Sequence, residues 1–388
     1  MTLENRDQDL STQLTTAEVR RYSRQIVIPE FGIEGQQKLK AAKVLVVGAG
    51  GLGSPLLLYL AAAGIGTLGI IDFDIVDESN LQRQVLYTTA DVGRSKARTA
   101  GEKVKALNPS CQVNIYDTQL DKTNALEIIR EYDVVADASD NFATRYLVND
   151  ACVLSNKPLV FGSIYRFDGQ VSVFNAPQQN GERSPHYRDL FPVPGDAPNC
   201  AESGVIGILP GIIGSLQANE VVKIIAGLGE ILAGKLMVLD ALHNETRVVR
   251  FRKNPDVALI TQLEEENSAT CITNEKESDK EKNMKEVTVQ ELKELQDSGA
   301  DFQLIDVREP HEYAIANLGG ELIPLGQVEA QADKIARDKQ VVVQCRSGAR
   351  SGNAVRLLEE KLGFTNLYNL KGGILAWSDE IDSSVPKY

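Results

Sequence analysis

The chain has 388 residues, 43% hydrophobic and 24% charged, an ordinary composition for a folded protein and enough length for two domains with ample cores. A net charge of −13 leaves no basic surplus to neutralise phosphates, which argues against nucleic acid as a general partner. No apolar stretch reaches membrane-spanning length without Gly, Pro or charge, and five scattered cysteines behind no signal segment fit a reducing cytosol, so a cytoplasmic location is expected.

Residues 1–14 are polar and read as a frayed tail. Thr15-Thr-Ala-Glu18 has the pattern of a capping box, opening a helix that carries Arg20, Arg21 and Arg24. Lys43–Val47 predicts a short strand, followed by a glycine turn and a helix over 54–63. A second strand ends at Ile70-Ile-Asp72. Helices over 96–107 and 125–131 alternate with strands over 113–116 and 133–136, a pattern that predicts a parallel, doubly wound sheet. Two later strands, at 159–161 and 170–174, read as mixed or antiparallel additions. A small-residue helix over about 207–226 contains Gly211 and Gly214, which lower helix propensity and are read as allowing close packing in a buried or dimer-facing helix. Residues 15–262 thus form a first domain and 287–388 a second. The stretch 263–286 between them is charged, poor in large apolar residues and aperiodic, so it is read as a linker, with Cys271 an exposed thiol of no special role.

Gly48-Ala-Gly50-Gly51-Leu-Gly53 fits G-x-G-x-x-G between a strand and a helix, which places something anionic on the helix N-terminus. Asp72, at the end of the next strand, is placed to bind a ribose hydroxyl. To this point a nicotinamide-dependent oxidoreductase explains everything. It does not explain Ser79-Asn80-Leu-Gln-Arg83-Gln84, then Lys96, then Asp137-Ala-Ser-Asp140-Asn141. Read singly, Lys96 is a solvated helix charge, Arg83 a surface ion pair and Asp140 a helix N-cap. Read together, they suit nucleotidyl transfer, in which cations stabilise charge on the phosphates and an aspartate holds Mg²⁺.

Cys345-Arg346-Ser347-Gly348-Ala349-Arg350 follows the apolar run 341–343 and precedes a helical segment over 351–362. Backbone N–H groups at the helix start and two guanidinium groups favour an anion there, and so favour the reactive thiolate. The spacing is C-x4-R, one residue short of the C-x5-R that a phosphate cradle needs, with Ser351 next in line. A shorter loop suits a smaller passenger, a single terminal sulfur carried as a persulfide.

The stretch from about Val19 to Asn254 resembles the MoeB/ThiF family, relatives of ubiquitin-activating enzymes that adenylate small ubiquitin-like sulfur carriers. The matching segments are Arg20-Arg-Tyr-Ser-Arg-Gln-Ile26, the glycine turn, Asp72-Phe-Asp74, the 79–84 and 137–141 segments, Gly93-x-x-Lys96, Asn199-Cys-Ala-Glu-Ser-Gly204 and Gly214-Ser-x-Gln217. The resemblance implies an α/β fold, a Rossmann-like doubly wound mixed sheet. It also implies that Gly51, Asp72, Asn80 and Lys96 hold ATP, that Arg83 contacts its phosphates, and that Arg24 reaches the site from the second subunit of a homodimer. Asp140 would bind Mg²⁺ with Asn141 beside it, and Cys200 would bond covalently to the activated carrier. Cys111 and Cys152 are read as structural.

The second domain resembles the rhodaneses over about Val287 to Asp382, through the Cys345 loop, Leu304-Ile-Asp-Val-Arg-Glu309, His311-Glu-Tyr313 and Leu370-Lys-Gly-Gly-Ile-Leu-Ala-Trp377. This implies a smaller α/β domain in which Cys345 carries the persulfide, while Asp306 and Arg308 order the fold. The fusion matches the adenylyltransferase–sulfurtransferase proteins. It implies a carrier ending in Gly-Gly, a sulfur donor such as a cysteine desulfurase, and a thiocarboxylate product serving molybdopterin, thiamine or another sulfur-containing product. A non-catalytic scaffold for a ubiquitin-like partner is the binding-module alternative, disfavoured because both residue sets are intact.

One family feature is missing. The family's structural zinc uses two C-x-x-C pairs, and this chain has His186-Tyr-Arg-Asp189 at the first place and 256–260, without sulfur, at the second. Two ligands cannot complete a tetrahedral structural site, so no structural zinc is expected; packing must then hold the 180–200 loop and the 255–262 segment together, or the loop is looser than in relatives.

Overall fold

A computed structural model describes residues 13–178, 180–192, 204–263 and 284–387. The fold divides into two units, residues 1–271 and 272–388. Cys200, Cys271 and nearly all of the expected linker lie outside the described residues.

In the first unit the strands are β1 Lys43–Val47, β2 Thr67–Ile71, β3 Gln112–Tyr116, β4 Val134–Asp137, β5 Leu159–Tyr165, β6 Asp168–Phe174, β7 Lys235–Asp240 and β8 Glu245–Arg250. They form one sheet in the order β3-β2-β1-β4-β5-β6-β7-β8. The first five run parallel and the last three join antiparallel, so the sheet is mixed as expected. The parallel strands β1, β2 and β4 are almost wholly buried, as strands covered on both faces must be. Strand order reverses between β1 and β4, and in such sheets the crevice beyond the strand ends at that point is where ligands bind.

The capping box at Thr15 is present, but the helix it opens stops at Arg21. A second short helix, Ser23–Ile26, carries Arg24. Between them Tyr22 is buried, with Asn108 Nδ2 donating to its hydroxyl at 2.8 Å. The late helix runs Leu209–Ala226 and packs against the Gly53–Ala63 helix and against β5 and β6. Only one of its two glycines matches the close-packing expectation. A Cβ on Gly214 would lie 2.5 Å from the Leu52 carbonyl oxygen, whereas one on Gly211 would meet open space.

Where two metal-binding pairs were missing, Asp189 ties the first segment to Asn254, just ahead of the second, by one hydrogen bond and closes its own turn with another. Its Oδ1 accepts the Asn254 N–H at 2.9 Å, and its Oδ2 accepts the His186 N–H at 2.7 Å. Arg188 makes a double hydrogen bond to Asp150, at 2.8 and 2.6 Å, and stacks 4.6 Å from the Tyr146 ring centroid. Tyr187 sits in an aromatic cluster with Tyr146, Phe161, Phe174 and Phe191.

The second unit has β9 Glu286–Val287, β10 Phe302–Asp306, β11 Glu321–Leu322, β12 Gln340–Gln344 and β13 Leu367–Leu370, all parallel in the order β11-β10-β12-β13-β9. Asp306 and Arg308 form an ion pair with neither side chain exposed, and Arg308 also donates to the Ala316 carbonyl at 2.8 Å. They order the fold, as expected. Removing one partner strands a buried charge, so Asp306→Ala should cost this unit about 3–5 kcal/mol. The chain's single tryptophan, Trp377, lies in the core of the same unit and reports its urea midpoint by fluorescence. A midpoint equal to the parent's would contradict the assignment.

Candidate active sites

The first site is built on the turn after β1. Gly48 takes φ +91°, and a Cβ there would press within 2.9 Å of the Ala138 carbonyl oxygen. A Cβ on Gly53 would lie 2.1 Å from the Gly48 carbonyl oxygen. The cradle therefore requires these glycines. Asp72, after β2, holds the turn in shape: its Oδ2 accepts the Ala49 N–H at 2.7 Å and its Oδ1 the Asp74 N–H at 2.9 Å. Burial nevertheless raises its pKa.

One pocket at the ends of β1, β2 and β4 is lined by Gly51, Asp72, Arg83, Lys96, Asp140 and Asn141 together. Lys96 opens the Lys96–Leu107 helix, is 6% exposed, and pairs with Asp74 at 2.8 Å, so it is not a solvated helix charge. Arg83 donates to the Ser79 carbonyl at 3.0 Å rather than forming a surface ion pair. Asn141, not Asp140, caps the next helix, accepting the Thr144 N–H at 2.8 Å. Asp140 is left exposed at the pocket. The pocket thus holds two exposed carboxylates beside the glycine turn, Asp140 and the Lys96-paired Asp74, a set that fits Mg²⁺, which commonly takes one or two carboxylates plus substrate phosphate oxygens.

Two expected residues lie elsewhere. Asn80 is not in the lining; its Oδ1 accepts the Asp77 N–H at 3.3 Å within a short turn. Arg24 lines a separate depression with Arg21, Tyr22 and Tyr59. Val27, Ile28 and Ile33 nearby are 72%, 48% and 55% exposed.

Sequence reasoning missed Arg145 and Tyr87. Arg145 lines the pocket while only 8% exposed, donates to the Ser139 carbonyl at 3.3 Å, and lies 5.6 and 5.5 Å from the Phe142 and Phe161 ring centroids. Burial pushes the pKa of Asp137 up, and the Arg145 charge opposes that shift. The available signal was its position four residues after Asn141 on the same helix. Tyr87 places its hydroxyl 2.8 Å from the Ala49 carbonyl and 3.2 Å from that of Lys96, bridging the glycine turn and the lysine.

The second site follows β12. Gly348, at φ +97°, precedes the Ala349–Leu362 helix. The first turn of the Gly373–Glu380 helix ties off two loop carbonyls: Ile374 N–H donates to Cys345 O at 2.9 Å and Leu375 N–H to Arg346 O at 3.1 Å. The Gly348 N–H points instead to Cys345 Sγ, at 3.1 Å. Cys345 is 1% exposed and contributes to the core. The two-guanidinium expectation needs a correction. Both terminal nitrogens of Arg350 donate to the Glu312 carboxylate at 2.7 Å, so its charge is balanced within the fold. Burial works against charging Glu312, yet Arg350 holds its carboxyl below the ordinary value.

Cys111 and Cys152 are both buried, as structural cysteines should be. Burial pushes the Cys111 thiol up to about 11 and the Cys152 thiol further.

Comparison with known proteins matches residues 22–259 to the ThiF family and residues 288–380 to the rhodanese-like domain. The chain is 45% identical over 386 residues to a probable adenylyltransferase/sulfurtransferase MoeZ of Mycobacterium tuberculosis, covering 97% of each. It is 40% identical to adenylyltransferase and sulfurtransferase MOCS3 of Xenopus laevis, over 97% of this chain and 89% of that protein. A sulfur carrier protein adenylyltransferase of Thermus thermophilus is 56% identical over 244 residues, 62% of this chain and 90% of that one. Among solved structures, E. coli MccB with ATP aligns at a TM-score of 0.53 and 22% identity, over 65% of this chain and 76% of that chain, a likeness of fold alone.

Proposed function

The chain belongs to the ThiF family with a rhodanese-like domain behind it, and from that premise we propose that it adenylates the C-terminal glycine of a ubiquitin-like sulfur carrier and delivers sulfur to it from a Cys345 persulfide. It is an adenylyltransferase and sulfurtransferase. The observation that carries the reading is the single pocket holding Gly51, Asp72, Arg83, Lys96, Asp140 and Asn141 in a chain that also keeps an intact C-x4-R loop.

In the first half-reaction a carrier carboxylate oxygen attacks the α-phosphate of ATP, pyrophosphate leaves, and a poor electrophile becomes a mixed anhydride. Gly51 lets the backbone approach the phosphates. Arg83 and Lys96 offset the charge that builds on them, Lys96 sharing its proton donors with Asp74. Each Asp72 oxygen keeps a second lone pair for a ribose hydroxyl, and Asn80 approaches the nucleotide only if its short turn adjusts. Asp140, with Asn141 beside it, would hold Mg²⁺, which supplies charge neutralisation at the phosphates when bound. Arg24 serves the partner site of a homodimer, a reading supported by the exposed apolar side chains around it.

In the second half-reaction the outer sulfur of the Cys345 persulfide attacks the acyl carbon and AMP leaves. A further thiol then attacks the Cys345 sulfur, freeing the carrier thiocarboxylate and leaving a disulfide. The reaction sequence runs with or without a Cys200 intermediate; with it, the Cys200 thiolate first displaces AMP to give a thioester, and the persulfide then displaces Cys200. A desulfurase-type donor, a cytoplasmic location and a product destined for molybdopterin, thiamine or another sulfur-containing compound complete the proposal. No described helix is long and apolar enough to cross a membrane. The test is chemical: a carrier ending in Gly-Gly should gain sulfur at its terminal carbonyl only when ATP is supplied.

The donor set at 186–189 and 256–260 does not suit zinc, and Asp189 instead ties the first segment to Asn254 by a hydrogen bond. Metal analysis of the purified chain should therefore find no stoichiometric zinc. One tightly held Zn²⁺ per chain would contradict this.

A further inference from the structure

Ser351 has no part in the two half-reactions, yet its hydroxyl touches the reacting sulfur. Ser351 is fully buried, with Oγ 3.3 Å from Cys345 Sγ, 2.6 Å from Asn369 Oδ1 and 3.1 Å from the Gly348 carbonyl oxygen. Asn369 stands on β13, 4% exposed. Arg350, the cation expected to serve the sulfur, gives both terminal nitrogens to Glu312. Among the described residues the donors that reach Cys345 Sγ are thus neutral, the Gly348 N–H and the Ser351 hydroxyl.

A hydroxyl has one proton and two lone pairs, and an amide offers a donor end and an acceptor end of nearly equal shape. With Cys345 as a thiol, S–H donates to Ser351 Oγ and Ser351 O–H donates to Asn369 Oδ1. With Cys345 as a thiolate, half a turn of the Asn369 amide lets Nδ2–H donate to Ser351 Oγ, and the serine proton turns to the sulfur. We propose that Ser351 is a catalytic residue of sulfur transfer, donating its hydroxyl proton to the Cys345 thiolate, and that Asn369 is the positioning residue that sets its direction. The inference rests on the persulfide reading of Cys345.

The step balances without an added reductant. In loading, the Cys345 thiolate attacks the outer sulfur of a sulfane donor; the donor's S–S bond breaks, a new S–S bond forms, and the donor's anion leaves. In discharge to cyanide, the outer sulfur leaves as thiocyanate and the electron pair returns to Cys345 Sγ. The thiolate exists on one side of each step, and a hydrogen bond to a charged group is worth about 1.5–3 kcal/mol.

The test uses the full chain with thiosulfate and cyanide. Ser351→Ala should lower kcat for sulfur transfer about 10- to 100-fold, the equivalent of that hydrogen bond, and slow alkylation of Cys345 by iodoacetamide at pH 7. Ser351→Thr should restore both to within a few-fold, which a purely structural role for the hydroxyl would not require. Asn369→Asp, near-isosteric and unable to donate as a carboxylate, should reproduce the loss; it carries the test if Ser351→Ala does not fold. ATP–pyrophosphate exchange should stay parental, and buried-type Trp377 fluorescence identifies the variants whose second unit is folded. Parental transfer and alkylation in folded Ser351→Ala would overturn the inference. Transfer retained in Cys345→Ala would instead overturn the persulfide reading, and this inference with it.

Discussion

Replacing Cys345 by alanine should abolish sulfur transfer to the carrier and leave ATP–pyrophosphate exchange at the parental rate. The sulfur is the only group in the loop that can form an S–S bond, and loss of a covalent nucleophile typically costs more than about 10⁴-fold. The loop itself should survive the change. Its backbone is fixed by Ile374 and Leu375 N–H groups and by close approach of Gly373, whose Cβ, if present, would lie 2.4 Å from Cys345 O. None of those contacts uses the side chain. Exchange depends on the other unit, where Gly51, Asp72, Arg83, Lys96, Asp140 and Asn141 gather. Simultaneous loss of both activities would argue against separable half-reactions.

Asp140→Ala should do the reverse. Exchange should fall by about 10²–10³-fold, the usual cost of removing one electrostatic contact to a charged transition state, while thiosulfate:cyanide transfer continues. The structure makes this substitution informative because Asp140 is exposed and Asn141 does the helix capping. A change at such a surface position should move stability by no more than about 0.5 kcal/mol. Loss of exchange would then report chemistry, not unfolding. Full exchange activity in this variant would remove Asp140 from the proposed metal site.

The parts of these sites that could be read from sequence are the local ones. A glycine turn between a strand and a helix, an aspartate at the next strand end and a cysteine at a strand-to-helix turn are each fixed by a few neighbouring residues. The parallel sheet followed from alternation of elements, and β5 and β6 read as mixed or antiparallel additions. What escaped depends on contacts distant in sequence. Glu312 neutralises Arg350 from 38 positions away, and no local pattern announces it. Arg145 is a buried cation whose role appears only when Phe161 and Asp137 are brought against it. The break at Tyr22 reflects a hydrogen bond with Asn108, 86 positions on, which overrides a continuous helical pattern. Gly211 and Gly214 look equivalent as residues, yet only the second faces the Leu52 backbone.

The two domains would be joined by a chain of charged composition, and tethering of that kind gives roughly millimolar effective concentration when the geometry permits reach. The proposal therefore needs no high-affinity contact between the halves. It needs only that an activated carboxyl and a loaded sulfur be made on one polypeptide.

The most direct measurement is the intact mass of a Gly-Gly-ended carrier after incubation with the full chain, Mg²⁺, a sulfane sulfur donor and a thiol. With ATP present the carrier should exchange one terminal oxygen for sulfur, and with Cys345→Ala it should stop at an AMP-linked or unmodified form. Sulfur gained without ATP, or no AMP-linked or sulfur-bearing carrier under any of these conditions, would contradict the account.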